Sequence, residues 1–358
     1  MRRKSRSTRQ SLTNLRGEIA FREKLSRQHV TGEVVLPDYY KKKDHDKILL
    51  ERVEATSNRL GQLVDSGIQL SPFLELGAER GQRSLVLTND FDAQGVAVDI
   101  SYHQLKTMEH FAKLFDRPKL PVRICCDANH LPLKSTSFPF VFCYQFLHHF
   151  PDLLPLVREI HRVVANGYFF FDEEPLKRVL KLKLYTQKSK VYSDIARSKR
   201  PYIRLLETFI SEAPSDEVEH GIVENHDIAL ADWIKALRLF DERELELVST
   251  FNVRSRVGER LGPRNTLSFL LGGTISGLCR KGAEPEAKPR TDIKALLACP
   301  DCATPATDGT MDQASLREVP NGFECTRCEV SYPVKDGVVF LLPRGMLEQL
   351  YPDVANER

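Results

Sequence analysis

Residues 73–81 read F-L-E-L-G-A-E-R-G, a short apolar strand closed by the carboxylate of Glu75 and then a turn carrying Gly77 and Gly81. An unbroken apolar strand running through a glycine turn into a helix is the opening unit of a parallel sheet covered on both faces. The same grammar repeats outward from it. Strands are expected at 72–75, 95–99, 122–126, 138–145 and 168–172, with helices at 81–88, 102–115 and 153–164 between them. Upstream, Ile48, Leu49, Val53, Leu60 and Val64 at helical spacing predict a helix over 46–66 that stops at Gly67. Downstream, 229–240 reads as a helix with Trp233 on its apolar side, and 244–253 and 266–271 as returning strands. The expected fold class is α/β, a doubly wound, mostly parallel seven-stranded sheet.

Composition narrows the class. The chain has 358 residues, 41% hydrophobic and 28% charged, which excludes a wholly disordered or fibrous protein. No run of about 18 apolar residues predicts a membrane span, and no apolar secretory signal opens the chain. A cytoplasmic location is the expectation. Lys and Arg number 52 against 49 Asp and Glu, so net charge alone does not call for nucleic acid. The charge is uneven, however: Arg2, Arg3, Lys4, Arg6, Arg9 and Arg16 precede the first acid, Glu18. Residues 1–39 are read as a basic, flexible arm, either a solvated terminus, a phosphate- or membrane-touching segment, or an organelle transit peptide.

The eight cysteines divide in two. Cys125, Cys126, Cys143 and Cys279 lie in or beside apolar runs and read as small buried side chains. The others form C-x-x-C pairs, Cys299 with Cys302 and Cys325 with Cys328, followed by V-S-Y-P-V-K-D-G-V-V-F-L-L-P with a hairpin signal at Asp336-Gly337. Two such knuckles supply the tetrahedral thiolate set that zinc prefers. A redox couple is the alternative for a C-x-x-C pair. A module of this size lacks the core to fold without a staple, which a metal provides. The expected organisation is therefore an arm at 1–39, a catalytic body at 40–279 with a helical insertion at about 175–240, a polar linker at 280–291, and a zinc ribbon at 292–358. The insertion carries Lys177, Arg178, Lys181, Lys183, Lys188 and Lys190 on one face.

The second strand ends in Asp99, some twenty residues after the glycine turn, where a carboxylate can take two ribose hydroxyls. The third ends in Asp127 and Ala128, and the fourth in Gln145. Polar groups at successive strand tips converge on one crevice, a layout that nicotinamide-binding α/β folds also use.

These residues resemble the class I S-adenosylmethionine-dependent methyltransferases (methyltransferase type 11-like), whose fold is Rossmann-like. The likeness covers roughly residues 40–275. It implies that Glu75 positions the amino end of S-adenosyl-L-methionine and that Gly77, with Gly81 closing the turn, admits the cofactor. It likewise implies that Asp99 holds the ribose, that Asp127 and Ala128 meet the adenine, and that Gln145 sits at the fourth strand tip. Two departures stand out: Glu79 replaces the middle glycine of the loop, and Pro139 stands where an Asp is usual. The segment C-P-D-C … C-T-R-C … S-Y-P-V-K-D-G-V-V-F-L-L resembles the small zinc-ribbon subunits that activate several methyltransferases, here fused in cis. Four thiolates would close the shell around Zn2+, which makes the metal structural.

For a hydroxyl acceptor the reaction needs a base, and His suits neutral pH. His148 and His149 after the fourth strand and His226 in E-N-H are the catalytic candidates, with Glu173 and Glu174 nearby. The expected function is methyl transfer to a small molecule such as a sugar, lipid precursor or secondary metabolite. Methylation of tRNA or rRNA through the basic arm and ribbon is the rival reading. A lapsed, non-catalytic binding module is the third. No obligate protein partner is evident.

Overall fold

The computed structural model describes residues 2–37, 39–177, 185–186, 211–212, 220–222, 225, 228–249, 253–258, 266, 270, 272–282, 292–305 and 311–356. Much of the expected insertion, including Arg178, Lys181, Lys183, Lys188 and Lys190, lies outside the described residues, as does His226.

Helix α1 (Arg2–Thr31) and helix α2 (Lys42–Asp65) precede the sheet. The sheet is then built by β1 (Phe73–Leu76), α3 (Gln82–Asp90), β2 (Gly95–Asp99), α4 (Tyr102–Leu114), β3 (Val122–Cys125), β4 (Phe138–Tyr144), α5 (Leu153–Val163) and β5 (Val164–Leu176). Helix α6 (Leu230–Ala236) leads to β6 (Glu242–Ser249), β7 (Arg254–Arg256) and β8 (Gly273–Lys281). The C-terminal part adds β9 (Leu316–Val319), β10 (Gly322–Cys325), β11 (Ser331–Lys335), β12 (Val338–Phe340), α7 (Arg344–Leu350) and α8 (Pro352–Asn356). Two-residue ladders at 185–186 with 211–212 and at 304–305 with 311–312 stand apart.

One mixed sheet of twelve strands results, ordered β9-β10-β11-β12-β3-β2-β1-β4-β5-β8-β6-β7. This corrects the expected seven strands. The six from β12 to β5 run parallel, and antiparallel strands extend both edges. The difference arises at β12, which pairs in parallel with β3 through Val338–Arg123, Val339–Ile124 and Phe340–Cys125. Strands β1 and β2 and the aromatic run of β4 are buried on both faces, the signature read from their unbroken apolar sequence. One apolar layer packs α5 and α6 against the sheet, with Trp233 stacked on Phe171 at 5.5 Å between ring centroids. The other packs α2, α3, α4 and the C-terminal helices on the opposite face. Strand β8 also claims Arg280 and Lys281, which the sequence reading assigned to the linker.

The arm expected at 1–39 is a packed helix over much of its length. Leu12, Leu15, Ile19, Arg22, Ser26 and His29 fall at helical spacing and turn inward, with Phe21 and Leu25 fully covered. The charge of the segment drew attention away from that stripe. Gln104 on α4 donates to the Arg22 carbonyl at 3.1 Å and ties the helix down. The C-terminal segment is tied down too. The Tyr351 hydroxyl donates to the Ile100 carbonyl at 2.6 Å and accepts the Tyr102 N–H at 3.0 Å, while Lys106 pairs with Asp336 at 2.7 Å. No helix among the described residues is long and apolar enough to cross a membrane.

Candidate active site and metal centre

The strand order reverses direction at β1, whose neighbours are β2 and β4, and crevices open at the carboxyl ends of parallel strands at such a point. A crevice of about 800 Å³ lies there, lined by the tips of the central strands and roofed by α1 and α2. Gly77, Asp99, Asp127, Ala128, Gln145, His148 and His149 all line it.

Glu75 and Gly81 do not line it. The Glu75 carboxylate turns inward and accepts the Ser84 N–H at 3.0 Å and the Ser84 hydroxyl, capping the first turn of α3. Burial pushes its acid up to about 7, against the pull of Arg83 and the Ser84 hydrogen bonds. Gly81 precedes α3 with φ +68°, and a Cβ there would stand 2.1 Å from Met108 Cε. At Gly77, φ is +62° and a Cβ would meet the Phe146 ring at 2.2 Å. Both glycines are required by backbone and by space.

Asp99 uses both oxygens to fix the loop. Oδ2 accepts the Glu79 N–H at 2.9 Å and Oδ1 accepts the Ser101 N–H at 2.7 Å. Burial raises its acid to about 6 despite those donors. Asp127 accepts the Asn129 N–H at 2.9 Å and lies 3.4 Å from His130 Nδ1. Gln145 donates from Nε2 to Glu173 at 2.8 Å.

Glu79, the residue that breaks the glycine pattern, sits at φ +47° in the left-handed region. Its carboxylate reaches up to Arg22 of α1 at 2.8 Å, with Arg80 at 3.9 Å. Burial alone would raise the acid, but Arg22, Arg80, Arg83 and Arg52 outweigh it and hold it at about 2. The side chain therefore points to the roof and away from the strand tips.

On the far side, Glu174 near the end of β5 is fully buried. It accepts backbone N–H groups from Phe146 at 2.7 Å, Leu147 at 2.9 Å and His148 at 3.2 Å, and lies 2.9 Å from His148 Nδ1. A carboxylate at Nδ1 orients the ring and, in the neutral form, favours the tautomer with the proton on Nδ1. The His149 ring lies beside it, tilted by 33° with 4.3 Å between ring centroids. The Asn225 N–H donates to the His148 carbonyl at 2.8 Å, so the E-N-H segment does approach the crevice at that residue. Sequence reasoning named His148 and Glu174 separately and missed their pairing. It also missed Arg22, Arg52, Arg80 and Arg83 as lining residues; the inward stripe of α1 was the signal for the first.

Adenosine-type chemistry suits this crevice: two strand-tip carboxylates on one lip, and a glycine turn without side-chain bulk at Gly77. S-adenosylmethionine would be held by Asp99, Asp127 and the Gly77 turn.

Comparison with known proteins bears on the same segment. Residues 74–171 match the family model described as a methyltransferase domain. The 27-O-demethylrifamycin SV methyltransferase of Amycolatopsis mediterranei is 28% identical over 94 residues, 26% of this chain and 35% of that protein. The chain thus matches about a third of that relative's length. Among solved structures, an S-adenosylmethionine-dependent methyltransferase from Archaeoglobus fulgidus is 16% identical, with 64% of this chain and 94% of that one covered at a TM-score of 0.38. Phosphoethanolamine N-methyltransferase 2 of Haemonchus contortus, solved with S-adenosyl-L-methionine, is 12% identical over 60% of this chain and 50% of that one, at 0.40.

Beyond the matched segment, Cys299, Cys302, Cys325 and Cys328 bring their sulfurs within 4.8 Å of one another. Cys299–Cys328 and Cys302–Cys325 are each 3.7 Å apart. Tetrahedral zinc with Zn–S bonds of about 2.3 Å spaces its sulfurs by about 3.8 Å. The Arg327 and Cys328 N–H groups point at Cys325 Sγ at 3.3 and 3.4 Å, which suits a thiolate. The residues fit zinc. Cys125, Cys126, Cys143 and Cys279 are buried, and burial pushes their thiols up, so they are inert.

Proposed function

We propose that the protein transfers a methyl group from S-adenosyl-L-methionine to a hydroxyl of a small-molecule acceptor, with His148 as base. The observation that carries this reading is the 2.9 Å His148–Glu174 pair beside the strand-tip carboxylates. The cofactor, when bound, supplies an activated methyl on a sulfonium, so the chain's work is alignment and proton removal. Asp99 and Asp127 orient the adenosine half. His148 Nε2 takes the acceptor's hydroxyl proton, and Glu174 positions the ring and stabilises the imidazolium that forms. His149 borders the acceptor end, and His226 is a second base candidate. Helix α1, packed over the crevice, excludes water and favours a small acceptor over a polynucleotide. The rifamycin enzyme's name speaks of an O-linked methyl, which agrees with a hydroxyl acceptor.

Zn2+ in this reading is structural, bound by Cys299, Cys302, Cys325 and Cys328 with no open position. The ribbon then acts as a domain grafted onto the sheet edge. The test is turnover with labelled cofactor against pools of small hydroxylated molecules and of RNA, for the parent and His148→Asn. Label appearing in the small-molecule pool and lost in the variant is expected. Label in RNA alone, or cofactor binding with no transfer to either pool, refutes the reading.

A further inference from the structure

Four arginines line the crevice: Arg22 from α1, Arg52 from α2, and Arg80 and Arg83 from the β1–α3 loop and α3. Arg22 is engaged by Glu79 and by Glu18 at 4.0 Å, and Arg80 stands 3.9 Å from Glu79. Neither Arg52 nor Arg83 has a carboxylate at ion-pair distance among the described residues. Arg83 is 9% exposed, places its Cζ over the Tyr144 ring at 4.0 Å from the centroid, and has a buried Nε without a hydrogen-bond partner. Arg80, 5% exposed, has a partnerless Nε too. A buried donor without an acceptor is costly, and two arginines that carry one and also line the crevice mark a place where an acceptor belongs.

The remaining lining carboxylates are occupied elsewhere. Asp99 and Asp127 accept backbone N–H groups, and Asp152 caps α5 by accepting the Leu154 N–H at 3.0 Å. S-adenosylmethionine does not redress the balance. It brings a sulfonium and an ammonium against one carboxylate, and so adds positive charge to the crevice.

We propose that the acceptor is an anion, carrying a carboxylate or phosphate that Arg52 and Arg83 hold. This rests on the methyltransferase reading above and specifies its substrate class. The planar guanidinium of Arg83, held over the Tyr144 ring by a cation–π contact, has the fork of donors that matches an oxyanion.

The test is calorimetry on the full chain, with S-adenosylhomocysteine first and then inorganic phosphate titrated into the saturated protein at constant ionic strength. The parent should bind phosphate saturably. Arg52→Gln and Arg83→Gln should each weaken phosphate by about tenfold or more, as loss of a charge-assisted hydrogen bond implies. S-adenosylhomocysteine affinity should change less than about threefold. Arg52 is exposed, so its variant guards against a folding failure at Arg83. Normal S-adenosylhomocysteine binding with no phosphate binding overturns the proposal and leaves the methyltransferase reading intact. Loss of S-adenosylhomocysteine in Arg83→Gln, with 5′-methylthioadenosine binding unchanged, assigns the arginine to the cofactor's carboxylate and also overturns it. Failure of the parent to bind S-adenosylhomocysteine removes the functional reading itself, and the proposal with it.

Discussion

Glu79 occupies a glycine position with φ +47°, and replacing it separates backbone strain from its ion pair with Arg22. A side chain in the left-handed region costs about 1–2 kcal/mol relative to glycine. Glycine in turn gives the unfolded chain about 0.4–1 kcal/mol of extra entropy. Glu79→Ala keeps the strain and loses the pair, whereas Glu79→Gly relieves the strain and loses the pair. Because both variants lose the same carboxylate, their difference isolates the backbone, and glycine should be the more stable by roughly 0.5–1 kcal/mol. The pair itself joins side chains 10% and 33% exposed, a partly solvated bond worth about 0.2–1 kcal/mol. Glu79→Gly should therefore lie close to the parent and Glu79→Ala below it. Thermal melts of all three proteins give the ranking, with a spacing of roughly 2 °C between the two variants. Urea titrations at one temperature give the same ranking as free energies. S-adenosylmethionine affinity should be similar in all three, because the Glu79 N–H that binds Asp99 survives each change. An alanine variant as stable as the glycine one would refute the left-handed assignment. A large gain in affinity on substitution would show the carboxylate to be a plug rather than a tie to the roof.

Asp99→Ala should lose S-adenosylmethionine affinity by one to a few orders of magnitude by calorimetry, since two hydrogen bonds to a charged group are worth about 1.5–3 kcal/mol each; equal binding by variant and parent would reject the site. Cys302→Ser should empty the metal centre on elemental analysis and open residues 292–356 to protease, because zinc binding energy is folding energy there. Glu75 has its folded pKa raised to about 7 from an ordinary 4.5, so the folded state holds the extra proton and stability falls as pH rises through that window. His29 and His45, both lowered chiefly by burial, oppose this trend below pH 6.5. Other groups titrate in the same range, so the comparison with Glu75→Gln isolates the Glu75 contribution: between pH 6.5 and 8 denaturant titrations should find the parent losing roughly 1 kcal/mol more than the variant. Glu174→Gln should lower kcat by about 100-fold or more with S-adenosylmethionine affinity unchanged, measured on whichever acceptor the labelled screen identifies; unaltered kcat would remove Glu174 from a positioning role.

Local patterns carried the centre of the fold. The strand at Gly95–Asp99 ends where its sequence says, because the apolar run meets an aspartate whose oxygens take the Glu79 and Ser101 N–H groups of the adjoining loops. Asp127 likewise turns the chain after β3 by accepting the Asn129 N–H. Long-range pairing carried no such mark. Nothing near Val338 announces that it lies beside Arg123, so the ribbon's last hairpin strand read as part of a separate module. Glu75 appeared as a site acid because it ends a strand, yet Ser84, nine positions later, takes both of its interactions inward. His148 and Glu174 meet only because β4 and β5 are neighbours and β5 runs on to Leu176, past the expected end at 172. The α1 stripe was present in the letters, but its arginines suggested solvent when Arg22 in fact faces the crevice.

The placement of β12 against β3 also sets an order of events during synthesis. Strand β3 leaves the ribosome early, and its parallel neighbour follows roughly two hundred residues later, so at about 5–20 residues per second the edge waits some 10–40 s. During that interval Arg123, Ile124 and Cys125 offer an unpaired backbone row to any passing strand, the situation in which nascent chains pair wrongly. The last hairpin thus works as an intramolecular guard that arrives late, and a chain cut short before Val338 would be expected to need chaperone cover for an edge that the full-length protein seals by itself.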